Sequence, residues 1–124
     1  LKQRRNFFAS AYRKARVRLM FLEEELAGFV ATREDGYILF LAVHPDYRGH
    51  GFGRKLVGDV VEEHGSVTCH ARTTNDEAVG FYEHLGFSVR RRIDRYYEDG
   101  GDAYFLELRE DESLRTKLTE LVRR

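Results

Sequence analysis

The chain has 124 residues, 42% of them hydrophobic and 13% aromatic, which suits one domain with a packed core. Its 21 basic and 21 acidic side chains cancel, which argues against disorder driven by net charge, and a single cysteine excludes an internal disulfide framework and points to a reducing, cytoplasmic setting. No apolar run approaches the roughly 18 residues of a membrane span, and no signal-peptide pattern opens the chain, which begins with Leu as expected of a fragment.

The charge balance conceals an asymmetry. Residues 1–18 carry seven Lys and Arg and no acid, while the other 106 residues hold 14 bases against 21 acids, a net of −7. Such a basic leader suits an anionic partner, or a solvated helix face lying against an acidic body. No nucleic-acid motif accompanies it, so the second is expected and nucleic acid is not an expected partner.

Residues 3–16 read as a helix, because Phe7, Phe8, Ala11, Tyr12 and Ala15 form one apolar stripe. Residues 17–23 alternate as a strand, Glu23-Glu24-Glu25 turns the chain into a second strand over 26–33, and Asp35-Gly36 is a hairpin turn. Residues 37–43 are apolar without interruption, the pattern of a strand buried on both faces in mid-sheet. A Gly-rich loop follows, then a helix to about His64 that buries Leu56, Val57, Val60 and Val61 and stops at Gly65. Residues 67–71 make a short strand. Thr74 and Glu77 have capping-box spacing and open a helix with Ala78, Phe81, Tyr82 and Leu85 on one face, ended by Gly86. Residues 89–97 and 103–108 read as strands around an Asp99-Gly100-Gly101-Asp102 turn. Leu114, Leu118, Leu121 and Val122 give a last amphipathic helix, for packing or a dimer contact. The order predicts a mixed α/β sheet with helices on both faces.

Two segments carry chemistry. In the first, Arg48-Gly49-His50-Gly51-Phe52-Gly53 joins the apolar strand to a helix. Glycines let the backbone approach a ligand, and a helix start presents unpaired N–H groups, so the junction suits a pyrophosphate, with Arg48 and Arg54 adding charge-assisted contacts. It is neither a Walker A loop nor a G-x-G-x-x-G turn, since its glycines fall at 49, 51 and 53. The second segment runs from Asn75 to Phe87. Elsewhere, His44, His50, His64 and His84 lack metal-ligand spacing, so no metal is expected. Cys69 reads as a nucleophile or as strand packing, and packing is expected. Arg90-Arg91-Arg92 reads as a solvated strand edge, or as a contact for an acidic substrate.

Together these segments resemble the GCN5-related N-acetyltransferases (GNAT). The family's Val-x-Pro-x-x-Arg-x-x-Gly-x-Gly loop is matched by Val43, Pro45, Arg48, Gly51 and Gly53. Its Asn-x-x-Ala-x-x-Phe-Tyr-x-x-x-Gly-Phe motif is matched by Asn75, Ala78, Phe81, Tyr82, Gly86 and Phe87. The resemblance spans about residues 17–108. A shorter match, Tyr96-Tyr97 followed by Asp99, Gly100, Asp102 and Ala103, is similar to the subgroup of ribosomal-protein S18 alanine and archaeal protein N-terminal acetyltransferases.

The resemblance implies a GNAT α/β fold, its mixed central sheet splayed between the fourth and fifth family strands, with helices on both faces. It implies a single acetyl-CoA-binding domain over 1–124, divided into a basic helix (1–16), a core (17–108) and a C-terminal helix (109–124). Leu41, Ala42 and Val43 then offer backbone groups to the pantetheine arm and thioester carbonyl. The loop from Gly49 through His50, Gly51, Phe52 and Gly53 to Arg54, with Arg48, holds the pyrophosphate, and Asn75 contacts the cosubstrate. The implied reaction is direct transfer of the acetyl group to a primary amine, foremost a peptide or protein N-terminus. Tyr82 is the candidate acid for the leaving thiolate, or a core residue of its helix. His70, standing where the S18 enzyme has a Glu, is the candidate base, with solvent water as rival. Tyr96 and Tyr97 are the candidate peptide contacts. Polyamine acetylation and a non-catalytic CoA-binding domain are the alternatives.

The family's first strand and first helix are missing ahead of residue 17, so the fold is expected to be N-terminally shortened. A truncated chain, a groove wall supplied by a second subunit in a homodimer, or a small acceptor each fits. The strand over 17–23 is then an open edge.

Overall fold

Turn chemistry and strand alternation set the element order. The computed structural model describes residues 15–110. It contains β1 (Arg16–Leu22), β2 (Glu25–Thr32), β3 (Ile38–Val43), a 3₁₀ turn (Pro45–Tyr47), α1 (Phe52–His64), β4 (Ser66–Arg72), α2 (Asp76–His84), β5 (Ser88–Ile93) and β6 (Ala103–Arg109). The helices expected over 1–16 and 109–124 lie outside the described residues, except that Arg16 and Arg109 are already strand.

The strands form two antiparallel three-stranded sheets, ordered β1-β2-β3 and β4-β6-β5. They meet at one parallel bridge between Tyr37 and Thr68, where the Thr68 N–H also donates to the Gly36 carbonyl at 3.2 Å. Beyond that bridge β3 and β4 part, which is the expected splay. The turn at Gly36 makes the bridge possible. Its φ of 84° favours glycine, and a Cβ there would sit 2.8 Å from the Ser66 carbonyl oxygen on β4. Gly36→Ala is therefore expected to cost about 1–3 kcal/mol of stability. A urea unfolding midpoint equal to that of the parent chain would contradict this.

The splay corrects the expectation for β3. It is not buried on both faces: Phe40 is 39% exposed and Leu39 and Leu41 are half-buried. Hydrogen bonding to β2 covers one edge, whereas the other edge past Tyr37 has no strand partner among the described residues. A bulge places both Ile38 and Phe40 opposite consecutive β2 residues, Thr32 and Ala31. It turns Ile38 into the core while leaving Phe40 outside.

The core joins Leu56, Val57, Val60 and Val61 of α1 to Val30, Ile38, Val67, Cys69, Ala71, Leu106 and Leu108 of the sheets. Ala78, Val79, Tyr82 and Leu85 of α2 pack against the same cluster, so both described helices serve one face. Arg16 and Arg18 of β1 tie down α1 through ion pairs with Glu63. On β4, Val67, Cys69 and Ala71 point into this core, and Thr68, His70 and Arg72 alternate to the opposite face.

Two further boundaries differ from expectation. The cap of α2 is Asn75, whose side-chain oxygen accepts from the Ala78 N–H at 3.0 Å, rather than Thr74. The strand expected over 89–97 ends at Ile93. Asp102 accepts from the Arg95 N–H at 2.9 Å and holds that residue at a φ of 51°, so Tyr96 and Tyr97 stand in a loop.

Candidate active site

On the helix side of the splay lies a half-open cleft of about 770 Å³. Its walls are Leu41, Ala42 and Val43 of β3, the loop from Tyr47 to Arg54 apart from His50, and Asn75, Glu77, Ala78, Phe81, Tyr82, His84 and Leu85 around α2. Gly51, at a φ of 83°, is the N-cap of α1 and brings its unpaired N–H groups to the cleft. The Arg48 Nε donates to the Val43 carbonyl at 3.2 Å, and Arg54 donates to the His84 carbonyl at 3.2 Å, which fixes both cations at the rim. Of the expected loop residues, His50 alone stands outside the lining; its ring faces Phe52 at 6.3 Å. Asn75 lines the cleft, but its side-chain oxygen is committed to the α2 cap.

Tyr82 reaches the cleft from α2 and packs edge-on to Phe87, 5.2 Å between centroids. Burial, then the neighbouring Cys69, pushes its phenol above the ordinary tyrosine range, so it stays protonated. Burial pushes the Cys69 thiol up to about 12, which removes it as a thiolate nucleophile.

His70 does not line this cleft. It stands on the other face of β4, stacked on Tyr96 with ring centroids 4.4 Å apart and tilted against Phe105 at 5.2 Å. Its Nδ1 lies 2.7 Å from the Tyr37 hydroxyl and 3.5 Å from that of Tyr96. Burial, then the charges of Arg91 and Arg33, holds the imidazole below its ordinary pKa, so it is neutral at pH 7. Burial and Tyr96 push the Tyr37 phenol above its ordinary range. Tyr37 thus has one proton to share between Tyr96 and Nδ1. In the tautomer where Nδ1–H donates to Tyr37, Nε2 keeps its lone pair and can accept a proton.

Tyr37 was not singled out by sequence reasoning. Its signal, a hydroxyl at the turn end of an aliphatic run, acquires meaning only from the parallel bridge that sets it on the His70 face. Tyr97, beside Tyr96, lies under the Arg72 guanidinium, 4.0 Å to the ring centroid. Arg72 also pairs with Asp99 at 3.1 Å, while Tyr97 N–H donates to the Gly101 carbonyl at 3.1 Å, so the tyrosine loop is fastened to β4. Among the described residues no group of His, Cys, Asp and Glu is arranged to hold a metal, and no described helix is long and apolar enough to cross a membrane.

A cleft with a cationic rim lies on one face of a splayed sheet, a histidine–tyrosine cluster lies on the other, and the β3–β4 gap runs between them. The chain matches the family model of the acetyltransferase (GNAT) domain over residues 13–89, and it belongs to that family. It is similar to N-alpha-acetyltransferase 30 of Saccharomyces cerevisiae, 38% identical over 96 residues that cover 73% of this chain and 54% of the relative. Among solved structures it resembles the Escherichia coli ribosomal-protein-S18-alanine N-acetyltransferase, with a TM-score of 0.63, 28% identity, and 84% of this chain and 75% of that chain covered. It also resembles Arabidopsis thaliana Naa50 in complex with a bisubstrate analogue, CoA-Ac-MVNAL, with a TM-score of 0.59, 29% identity, and 74% and 71% of the two chains covered. The chain spans about half the length of the Saccharomyces cerevisiae relative, 54%, and of N-alpha-acetyltransferase 30 of Schizosaccharomyces pombe, 49%.

Proposed function

We propose that this protein is an N-acetyltransferase that moves the acetyl group of acetyl-CoA to the α-amine of a peptide or protein N-terminus. The observation that carries the reading is the division of the site by β4. A cleft with a cationic rim lies on one face, a neutral histidine among tyrosines lies on the other, and the β3–β4 gap joins them.

The cleft residues fit acetyl-CoA. The α1 N-terminus with Arg48 and Arg54 suits a pyrophosphate, and the edge of β3 at Leu41, Ala42 and Val43, which has no strand partner among the described residues, suits an amide-bearing arm. Acetyl-CoA supplies an acetyl thioester whose C–S bond breaks as a neutral amine attacks. The β3 backbone N–H groups stabilise negative charge on the carbonyl oxygen. His70 Nε2, with Tyr37 on Nδ1, takes the amine's proton. Tyr82 donates a hydrogen bond to the departing sulfur. Its raised phenol pKa makes complete proton transfer to a thiolate uphill, so stabilisation of the anion is its main contribution. Tyr96 and Tyr97 line the acceptor's approach.

The test is acetyl-CoA turnover on peptides beginning with Ser, Ala or Met, with spermidine as comparison. Peptide acetylation is the expected result. Turnover of spermidine alone assigns a small-amine enzyme, and CoA binding without turnover assigns a binding domain.

A further inference from the structure

Among the described residues, the His70 face carries a cation, Arg91, that is not tied to a carboxylate. β5 presents Arg90, Arg91 and Arg92 in succession. Arg90 pairs with Glu107 at 3.1 Å, and Arg92 pairs with Asp94 at 3.2 Å and Asp102 at 2.7 Å. Arg33, whose charge also acts on His70, is bound through two hydrogen bonds to Asp35. Arg91 has no carboxylate partner among the described residues. Its guanidinium lies over the Phe105 ring, 5.3 Å to the centroid, and Phe105 lies beside His70 at 5.2 Å.

Register makes this one cross-strand row: Arg91 is the partner of Phe105, and Phe105 of His70. A bulge at Arg90 sets the phase. Val89 faces Leu106 and Arg91 faces Phe105, so the extra residue brings Arg91 onto the His70 face. Without it Arg91 would oppose Tyr104, which packs against the core.

Resting on the acetyltransferase reading above, we infer that Arg91 selects acceptors that carry a carboxylate close to the reacting amine. Arg91 and His70 stand two strands apart, about 10 Å, and an extended peptide advances about 3.3–3.6 Å per residue. An amine held at His70 with the chain crossing Phe105 brings its second or third side chain to Arg91. A carboxylate there gains a charge-assisted, two-pronged partner that an amide or an ammonium does not. If Arg91 served only to keep His70 and the amine neutral, its effect would be equal for every acceptor sequence.

The experiment measures kcat/KM for peptides identical except at residues two and three, which are Asp or Glu, Asn or Gln, or Lys, using the parent chain, Arg91→Gln, Arg91→Lys and Arg91→Glu. Because Arg91 is solvent-exposed, the parent is expected to prefer acidic over amide peptides by about three- to tenfold. The ratio should fall to about one in Arg91→Gln, survive in part in Arg91→Lys, and invert toward Lys peptides in Arg91→Glu. A measurement needing no variant is the salt dependence of the parent's ratio, which should shrink toward one as the ionic strength approaches 1 M, where screening extends over only about 3 Å. An acidic preference that is absent in the parent, retained in Arg91→Gln, or insensitive to salt overturns the inference while leaving the acetyltransferase reading standing. Failure of the parent to acetylate any peptide overturns both.

Discussion

Tyr82→Phe is expected to lower kcat by about 10²–10³-fold, with the KM for acetyl-CoA nearly unchanged. The substitution removes one oxygen and keeps the ring, so packing against Phe87 and Phe81 is preserved. In the proposed reaction what disappears is a donor to charge that exists only as the thiolate departs, and loss of such an interaction lowers kcat and kcat/KM together. Burial and Cys69 keep the phenol protonated, so the parent should show no descending limb in its pH–rate profile near the ordinary tyrosine pKa of about 10. Steady-state kinetics with both substrates saturating, alongside a thermal melt, decides the matter. A full kcat in Tyr82→Phe would reassign Tyr82 to the core stripe of α2, the bland reading its helical position invites.

The parts of this site legible in the sequence are those built from local chemistry. Gly51 and the segment before it announce a helix start exposed to an anion, and the structure places that start at the cleft. Gly65 and Gly86 stop their helices with positive φ, as their positions imply. What escaped depends on pairing between distant segments. Residues 37–43 look like a central strand because their apolarity is continuous. Yet the apolar groups of β3 border a gap and an open cleft, and hydrophobicity alone does not separate burial by protein from exposure to a cleft. Tyr96 and Tyr97 have strand propensity, but Asp102 and the Arg72–Asp99 pair hold them as a loop. His70 was legible as a polar residue on a strand. Its partner Tyr37 was not, because 33 residues separate them and only the Tyr37–Thr68 bridge brings them together.

That pairing carries the second large effect. His70→Gln is expected to lower kcat by about 10²-fold at pH 6.5, and the loss should shrink steadily as pH rises. The folded imidazole is held below its ordinary pKa, so its neutral, proton-accepting form is present at pH 7 and is lost only as pH falls through that depressed value. The parent's kcat should therefore have an ascending limb with its midpoint below the ordinary histidine value of about 6.5. In His70→Gln the acceptor must shed its proton to water, so the limb should move toward the ordinary α-amine pKa of about 8. Tyr37→Phe keeps the ring beneath the Arg33 guanidinium but deletes the hydroxyl on Nδ1, freeing the tautomer. A loss of about tenfold is expected for it. If the two act as one unit, the Tyr37→Phe/His70→Gln double variant should be no slower than His70→Gln alone. Losses that multiply would separate Tyr37 from proton transfer. A His70→Gln profile superimposable on that of the parent would leave water as the base and reduce the stacked His70–Tyr96 pair to packing.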